Sequence, residues 1–153
     1  MLDLYVEFEQ IIEQLNQRGL EYALCGGLAL AVYAAPRATV DIDLLVERAS
    51  LDQIKAELRL LGYTIEAIPM KFAGAEIHRL SKPDSDGDVL SVDLLLVLPE
   101  NEQAWREKAT VQWEKNQLSI VSPSGLILLK SFRNSEQDQI DVRNLRDANP
   151  ELR

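Results

Sequence analysis

Between Leu24 and Val46, two adjacent glycines, an alanine-rich apolar run and two carboxylates one residue apart follow in order, and that order limits what the chain can become. Gly26 and Gly27 admit backbone conformations and close approaches that a Cβ would block. The run from Leu28 to Ala35 holds few strong strand formers, so it reads as a short buried helix ended by Pro36. A helix that begins just past two glycines offers unpaired N–H groups, and the positive end of its dipole, to a phosphate. Asp41 and Asp43 flank Ile42 where a strand is expected over 42–46. Residues i and i+2 of a strand share a face, so both carboxylates can meet one hard cation while Ile42 turns to the core. A phosphate cradle followed by paired carboxylates suits a metal-bound triphosphate.

The remaining chain supplies a frame for that stretch. Leu4, Phe8, Ile11, Ile12 and Leu15 recur at helical spacing, which gives an amphipathic first helix stopping near Gly19. Tyr22 to Cys25 is a short apolar strand that enters the glycine turn. Ser50-Leu-Asp-Gln53 has the form of a capping box, and Leu51, Ile54, Leu58 and Leu61 then share a helix face, with Gly62 as its stop. Strands are expected at 63–67, 76–80 and 89–97, the last two joined through 82–88, a loop dense in turn residues. On the strand 89–97, Ser91, Asp93 and Leu95 take one face and Val92, Leu94 and Leu96 the other. Asp93 therefore interrupts an apolar strand, and burying it is costly without a partner such as a metal ion. Residues 100–108 read as a helix, and 111–113 with 117–121 as a small hairpin. Ser122-Pro123 marks a helix start, and Ser135 begins a last helix with Asp138, Asp141, Val142 and Leu145 on one side.

Gly26-Gly27, Asp41-Ile-Asp43 and Asp93 in Ser91-Val-Asp-Leu-Leu-Leu match one known pattern in order and approximate spacing. It is a Gly-Gly or Gly-Ser turn, a short helix, Asp-x-Asp on a strand and a third carboxylate on a later strand. The chain thereby resembles the nucleotidyltransferase superfamily, shared by DNA polymerase beta, tRNA-terminal transferases and antibiotic-modifying adenylyltransferases. With Arg37-x-Thr39 ahead of Asp41, it looks most like the AbiEii-type branch, which includes toxins of bacterial toxin–antitoxin systems.

The resemblance implies an α+β nucleotidyltransferase fold: a mixed β-sheet flanked by helices, with a C-terminal helical segment. One domain would span 1–153, its core at about 20–98 and its mostly helical segment at about 99–153. The activity implied is metal-dependent transfer of a nucleoside monophosphate from an NTP to an acceptor hydroxyl, with release of pyrophosphate. Asp41, Asp43 and Asp93 would be catalytic and bind Mg²⁺ or Mn²⁺, Asp93 also helping to deprotonate the acceptor. Gly26, Gly27, Arg37, Thr39 and Lys130 would contact the nucleotide. In the AbiEii-type branch a lysine in a Leu-x-x-Lys helix, then an arginine and a Lys-Asp pair, line the nucleotide site. Lys130, Arg133 and Asp138 resemble that line, and Gln137 stands where the second lysine is expected. The neighbours of Lys130 are apolar, so its head is expected to emerge at the helix edge.

Charge and composition bound the partners. A net charge of -9 over 153 residues disfavours broad nucleic-acid binding. It tilts the acceptor toward a protein side chain or a small molecule, while a local basic patch still admits an RNA end. The one cysteine, Cys25, forms no internal disulfide, suits a reducing cytoplasm and reads as a small buried hydrophobe. Met1 to Phe8 carries Asp3 and Glu7 in an amphipathic pattern rather than a leader, and the apolar run Tyr22 to Ala35 is too short to span a bilayer.

His78, the only histidine, is expected to be structural, and one His with one Cys does not make a zinc site. Asp84-Ser-Asp86-Gly-Asp88 has Leu95 where a calcium loop needs its glutamate, so it reads as a solvated hairpin loop. Trp105 and Trp113 read as packing residues. Two rival readings stand beside the transferase. One is a catalytically inactive module of the same fold that acts through a protein partner, for instance from a neighbouring gene. The other is an unrelated α+β domain with chance motifs.

Overall fold

A computed structural model describes residues 1–34, 39–133 and 135–152. Asp3 caps α1 (Leu4–Gln17), its carboxylate accepting the N–H groups of Tyr5 and Val6. β1 (Ala23–Cys25) runs directly into α2 (Gly26–Tyr33), and β2 (Asp41–Val46) precedes α3 (Leu51–Leu60). β3 (Ile65–Glu66), β4 (Met70–Phe72), β5 (Ala75–Pro83) and β6 (Val89–Leu96) follow. Then come α4 (Glu102–Arg106), the hairpin β7 (Ala109–Trp113) and β8 (Asn116–Ile120), α5 (Pro123–Ser131) and α6 (Glu136–Ala148).

These strands form one mixed sheet in the order β3-β5-β6-β2-β1-β8-β7, with β4 also paired to β5. β2 is parallel to β6 and antiparallel to β1, and β1 is parallel to β8. α1 packs against α3 and β8, whereas α2 packs against β2, α5 and α6. This is the α+β arrangement of a mixed sheet flanked by helices that the motifs imply. Ile42, Leu44, Val92 and Leu94 are wholly buried on the central strands, as their alternation requires.

Several local expectations are corrected. α2 starts at Gly26, whose φ of +68° makes it the turn out of β1, so the glycine turn and the helix start coincide, whereas the sequence reading begins the helix at Leu28. The proposed stop at Pro36 lies outside the described residues. Ser50 ends a 3₁₀ turn (Arg48–Ser50) in helical backbone geometry, and its side chain caps nothing; a preceding 3₁₀ turn removes the extended backbone that a capping box needs. Only Ile65–Glu66 of the expected strand 63–67 pairs, because Tyr63 leaves the sheet edge to bury its ring completely. β4 was not foreseen, and Pro69 just before it separates it from β3. The capping at Ser122 and Ser135 is as expected: Ser122 Oγ accepts from Gly125 N, and Ser135 closes a capping box with Asp138. Among the described residues, no helix is long and apolar enough to cross a membrane.

Candidate active site

Strand register brings the acidic residues together. Asp41 lies opposite Ser91 and Asp43 opposite Asp93 on the parallel pair β2–β6. On the far side of β6, Arg79 of β5 lies opposite Asp93. One row across the sheet thus reads Asp43, Asp93, Arg79, all on the face away from Ile42 and Val92.

Gly26 forms the wall beside that row. Its φ is +68°, and a Cβ built on it would lie 2.0 Å from Asp43 Oδ2. Only glycine lets the start of α2 approach the Asp43 carboxylate this closely. Gly27 gives a second close approach: a Cβ there would lie 2.8 Å from Thr39 Oγ1. The Thr39 hydroxyl in turn donates to the Asp41 carbonyl at 3.3 Å. Arg37, the remaining sequence candidate, lies outside the described residues.

Asp43, Asp93, Gly26 and Lys130 line one pocket of about 120 Å³ between the sheet and α5. Its acidic end continues into an apolar wall that includes Phe72, Ile77, Leu95 and Phe132. Burial, together with the nearby charges of Asp93 and Asp41, pushes Asp43 up to about 7, with Lys130 and Arg133 opposing. Asp41 is raised by its own burial, an effect Arg79 reduces and Asp93 increases. Cys25 lines the same pocket, its thiol pushed well up by burial and then by Asp43. The cluster therefore holds more negative charge than its surroundings comfortably solvate.

Arg79 answers part of that charge. Its Nε donates to Asp93 Oδ1 at 2.7 Å and its Nη2 to Oδ2 at 2.8 Å, with Nη2 also 3.6 Å from Asp41 Oδ2. Sequence reading passed over this residue. The loop that closes between Pro83 and Val89 sets the β5–β6 register, and counting back from it pairs Arg79 with Asp93.

Lys130 does not emerge at an edge, as its apolar neighbours suggested. It is buried, its Nζ donating to Asp141 Oδ2 at 2.9 Å and lying 3.8 Å from Asp138 Oδ1. An ammonium surrounded by apolar side chains needs such partners, and α6 supplies them. Arg133 forks onto Asp138 with two 2.7 Å bonds. Burial acts to raise Asp138, but Arg133 and the hydroxyl and N–H of Ser135 outweigh it and hold the carboxyl well below the usual range. Gln137, in the place of the expected lysine, donates to Asp141 Oδ1 at 2.9 Å. Lys130 and Arg133 thus form part of the pocket wall while braced by α6.

The other residues singled out in the sequence make contacts away from this cluster. His78 faces the opposite side of the sheet from Arg79 and is buried, its Nδ1 3.0 Å from Lys55 Nζ and its Nε2 2.9 Å from Glu76 Oε2. Asp84 Oδ1 accepts the N–H groups of Asp86 and Asp88, closing a hairpin turn. Trp113 packs edge-on against Phe8, and Trp105 lies under Lys108 Nζ.

The donor chemistry suits one hard cation. Mg²⁺ is commonly held by one or two carboxylates plus substrate phosphates, and Asp41 and Asp43 share a face beside the start of α2. The crowded charge on Asp43 is what a cation would relieve. Asp93 fits less well as a third ligand, because Arg79 engages both of its oxygens. Among the described residues, no group of three or more His, Cys, Asp or Glu side chains could hold a metal ion.

With this geometry in hand, comparison with known proteins is informative. A family model described as "Nucleotidyl transferase AbiEii toxin, Type IV TA system" matches residues 11–115. No curated protein sequence matches. Among solved structures, the fold is similar to the lincosamide antibiotic adenylyltransferase LnuA bound to lincomycin, at 16% identity and TM-score 0.61, covering 93% of this chain and 96% of that one. It is also similar to the solution structure of the antibiotic-resistance factor ANT(2'')-Ia, at 14% identity and TM-score 0.66, covering 97% and 83%. An antigenic nucleotidyltransferase-like protein from Paracoccidioides brasiliensis matches at 19% identity and TM-score 0.54, covering 94% and 76%. At these identities the likeness is one of fold.

Proposed function

We propose that this chain, which belongs to the AbiEii nucleotidyltransferase family, moves a nucleoside monophosphate from an NTP to an acceptor hydroxyl with release of pyrophosphate. The observation that carries the reading is the row Asp43–Asp93 against the glycine start of α2, with Asp41 on the same strand face. Gly26 and Gly27 would receive the triphosphate at the helix N-terminus, where backbone N–H groups and the dipole favour anions. Asp41 and Asp43 would hold Mg²⁺ or Mn²⁺. When bound, such an ion stabilises charge on the phosphoryl group and orients it for in-line attack. Asp93, aimed by the two hydrogen bonds from Arg79, would accept the proton of the acceptor hydroxyl. Thr39 would steady the Asp41 backbone, and Lys130 would offset the charge of Asp43 from the pocket wall. The acceptor favoured by an acidic chain is a protein side chain or a small molecule rather than a nucleic-acid backbone. The family description supports a place in a toxin–antitoxin system.

A second reading has one specific observation behind it. With Arg79 on both Asp93 oxygens, the third carboxylate is engaged, which suits a nucleotide-binding module that acts through a partner without transfer.

Thermal unfolding with each of the four NTPs, with and without Mg²⁺ or Mn²⁺, tests the proposal. A ligand that binds only the folded state raises the melting temperature by mass action. The expected result is a metal-dependent rise with one NTP that an Asp41→Asn/Asp43→Asn variant loses. No rise with any NTP at millimolar concentration would remove both nucleotide readings. A rise without label transfer to any protein, small-molecule or RNA acceptor would favour the binding module.

A further inference from the structure

Resting on the reading of this cluster as the nucleotidyl-transfer centre, the inference concerns Arg79. Two of the three carboxylates, Asp93 and Asp41, are approached here by one guanidinium. It grips Asp93 through two short hydrogen bonds and reaches to within 3.6 Å of Asp41. A guanidinium stays protonated at any pH the protein meets, and its planar fork matches a carboxylate in two-point geometry. Position fixes it there as well. Strand pairing sets Arg79 directly opposite Asp93, and the next pair on the same face, Ser81 and Ser91, closes with a 2.9 Å hydroxyl contact. Arg133 and Lys130, the cations that line the pocket, are matched to carboxylates of α6. Among the described residues, Arg79 is the cation matched to the reactive row.

We propose that Arg79 takes the place of a second metal ion, so that the centre holds a single divalent cation, on Asp41 and Asp43. Charge balance leads to the same count. Among the described residues, three carboxylates with one guanidinium leave two negative charges, which one divalent ion neutralises. A second ion would have to use the remaining lone pairs of Asp93 within a few ångströms of the guanidinium, against like-charge repulsion. Arg79 is a positioning residue in this scheme: it acts through Asp93 and through the electrostatics of the row.

The test counts Mn²⁺ ions, added alone and titrated to millimolar concentration into the full chain, by loss of the free-ion EPR signal. Background from surface carboxylates is measured on the Asp41→Asn/Asp43→Asn variant and subtracted. The native chain should bind one ion. Arg79→Gln should bind two, with the first about tenfold tighter once a nearby positive charge is gone. Arg79→Lys, which keeps the charge, should stay at one, and Arg79→Gln/Asp93→Asn should return to one because the second ion's ligand is lost. Arg79 is 38% exposed, so its replacement opens no core, and a thermal melt of each variant confirms folding. Should Arg79→Gln fail to fold, Asp93→Asn alone decides: one ion retained supports the proposal, and loss of all binding overturns it. Two ions on the native chain, or one on folded Arg79→Gln, overturn it while leaving the transferase reading intact. No ion on either removes the metal site itself and the inference with it, and the NTP-dependent melt then judges nucleotide binding separately.

Discussion

At Gly26 the backbone takes φ +68°, and the space a Cβ would occupy is filled by the Asp43 carboxylate. Gly26→Ala therefore meets two penalties, a left-handed backbone that alanine disfavours and an overlap that something must move to relieve. The expected loss is about 2–4 kcal/mol in urea unfolding. Asp43→Ala added to that variant should recover part of it, since the overlap disappears while the backbone strain remains. Full additivity of the two changes would show that the Cβ never meets the carboxylate.

Asp43 also gives a pH signature. Its native value of about 7 lies above the ordinary 3.8, so between those values the folded state holds a proton the unfolded state has lost. Stability then falls as pH rises through that window and levels off above about 7. Asp43→Asn removes the dependence. It should match the native protein near pH 4 and exceed it at pH 8 by on the order of 2 kcal/mol. Urea midpoints at the two pH values check this, and parallel pH profiles for both proteins would contradict it.

Among the elements, α5 and α6 show how charge can join two helices. Lys130 from α5 reaches Asp141 and approaches Asp138 on α6, while Arg133 forks onto Asp138. Lys130→Met keeps the volume but takes an ammonium away from two buried carboxylates, and should destabilise by about 3 kcal/mol. Denaturant unfolding measures this, and a loss under about 1 kcal/mol would mean that the pair contributes little beyond packing.

The same elements show what can be read from sequence. Helix starts written in local chemistry, Ser122-Pro123 and Ser135 with Asp138, form as expected because the cap and its partner lie within one turn. Strand alternation also places Asp41 and Asp43 on one face and Asp93 on the face of Ser91 and Leu95, whereas the register that joins them into a row comes from the β2–β6 pairing. Less legible was anything set by distant segments. Lys130 was expected at an edge because its partners lie on another helix. Arg79 was missed because its importance comes from the residue across the hairpin. Ser50 has the pattern of a cap but is already turned into a 3₁₀ segment.

For the molecule as a whole, the strand order decides which parts are indispensable. β8 comes late in the chain yet pairs in parallel with β1, which leads straight into the glycine start of α2. Val121 N donates to the Leu24 carbonyl just beyond that pairing, and the Tyr33 hydroxyl on α2 donates to the Val121 carbonyl at 2.8 Å. The C-terminal strand thus helps hold the candidate site. The family match ends at residue 115, before β8 begins. A chain cut there would lose Leu118, Ile120, Val121, Leu126 and Leu145, all essentially fully buried. Each such loss from a core costs about 2–5 kcal/mol, and the five together are comparable to or larger than the roughly 5–15 kcal/mol that stabilises a typical domain. Residues 1–115 should therefore show no cooperative unfolding in urea and no near-UV signal from Trp105 and Trp113. Residues 1–149 lose Arg153 and the short 3₁₀ turn Pro150–Leu152, none of whose residues is fully buried, and should unfold much as the full chain does. If 1–115 unfolds cooperatively, the glycine–carboxylate site is self-supporting, and β8, α5 and α6 belong to a separate layer of function. If it does not, the site depends on a sheet completed only near the end of the chain.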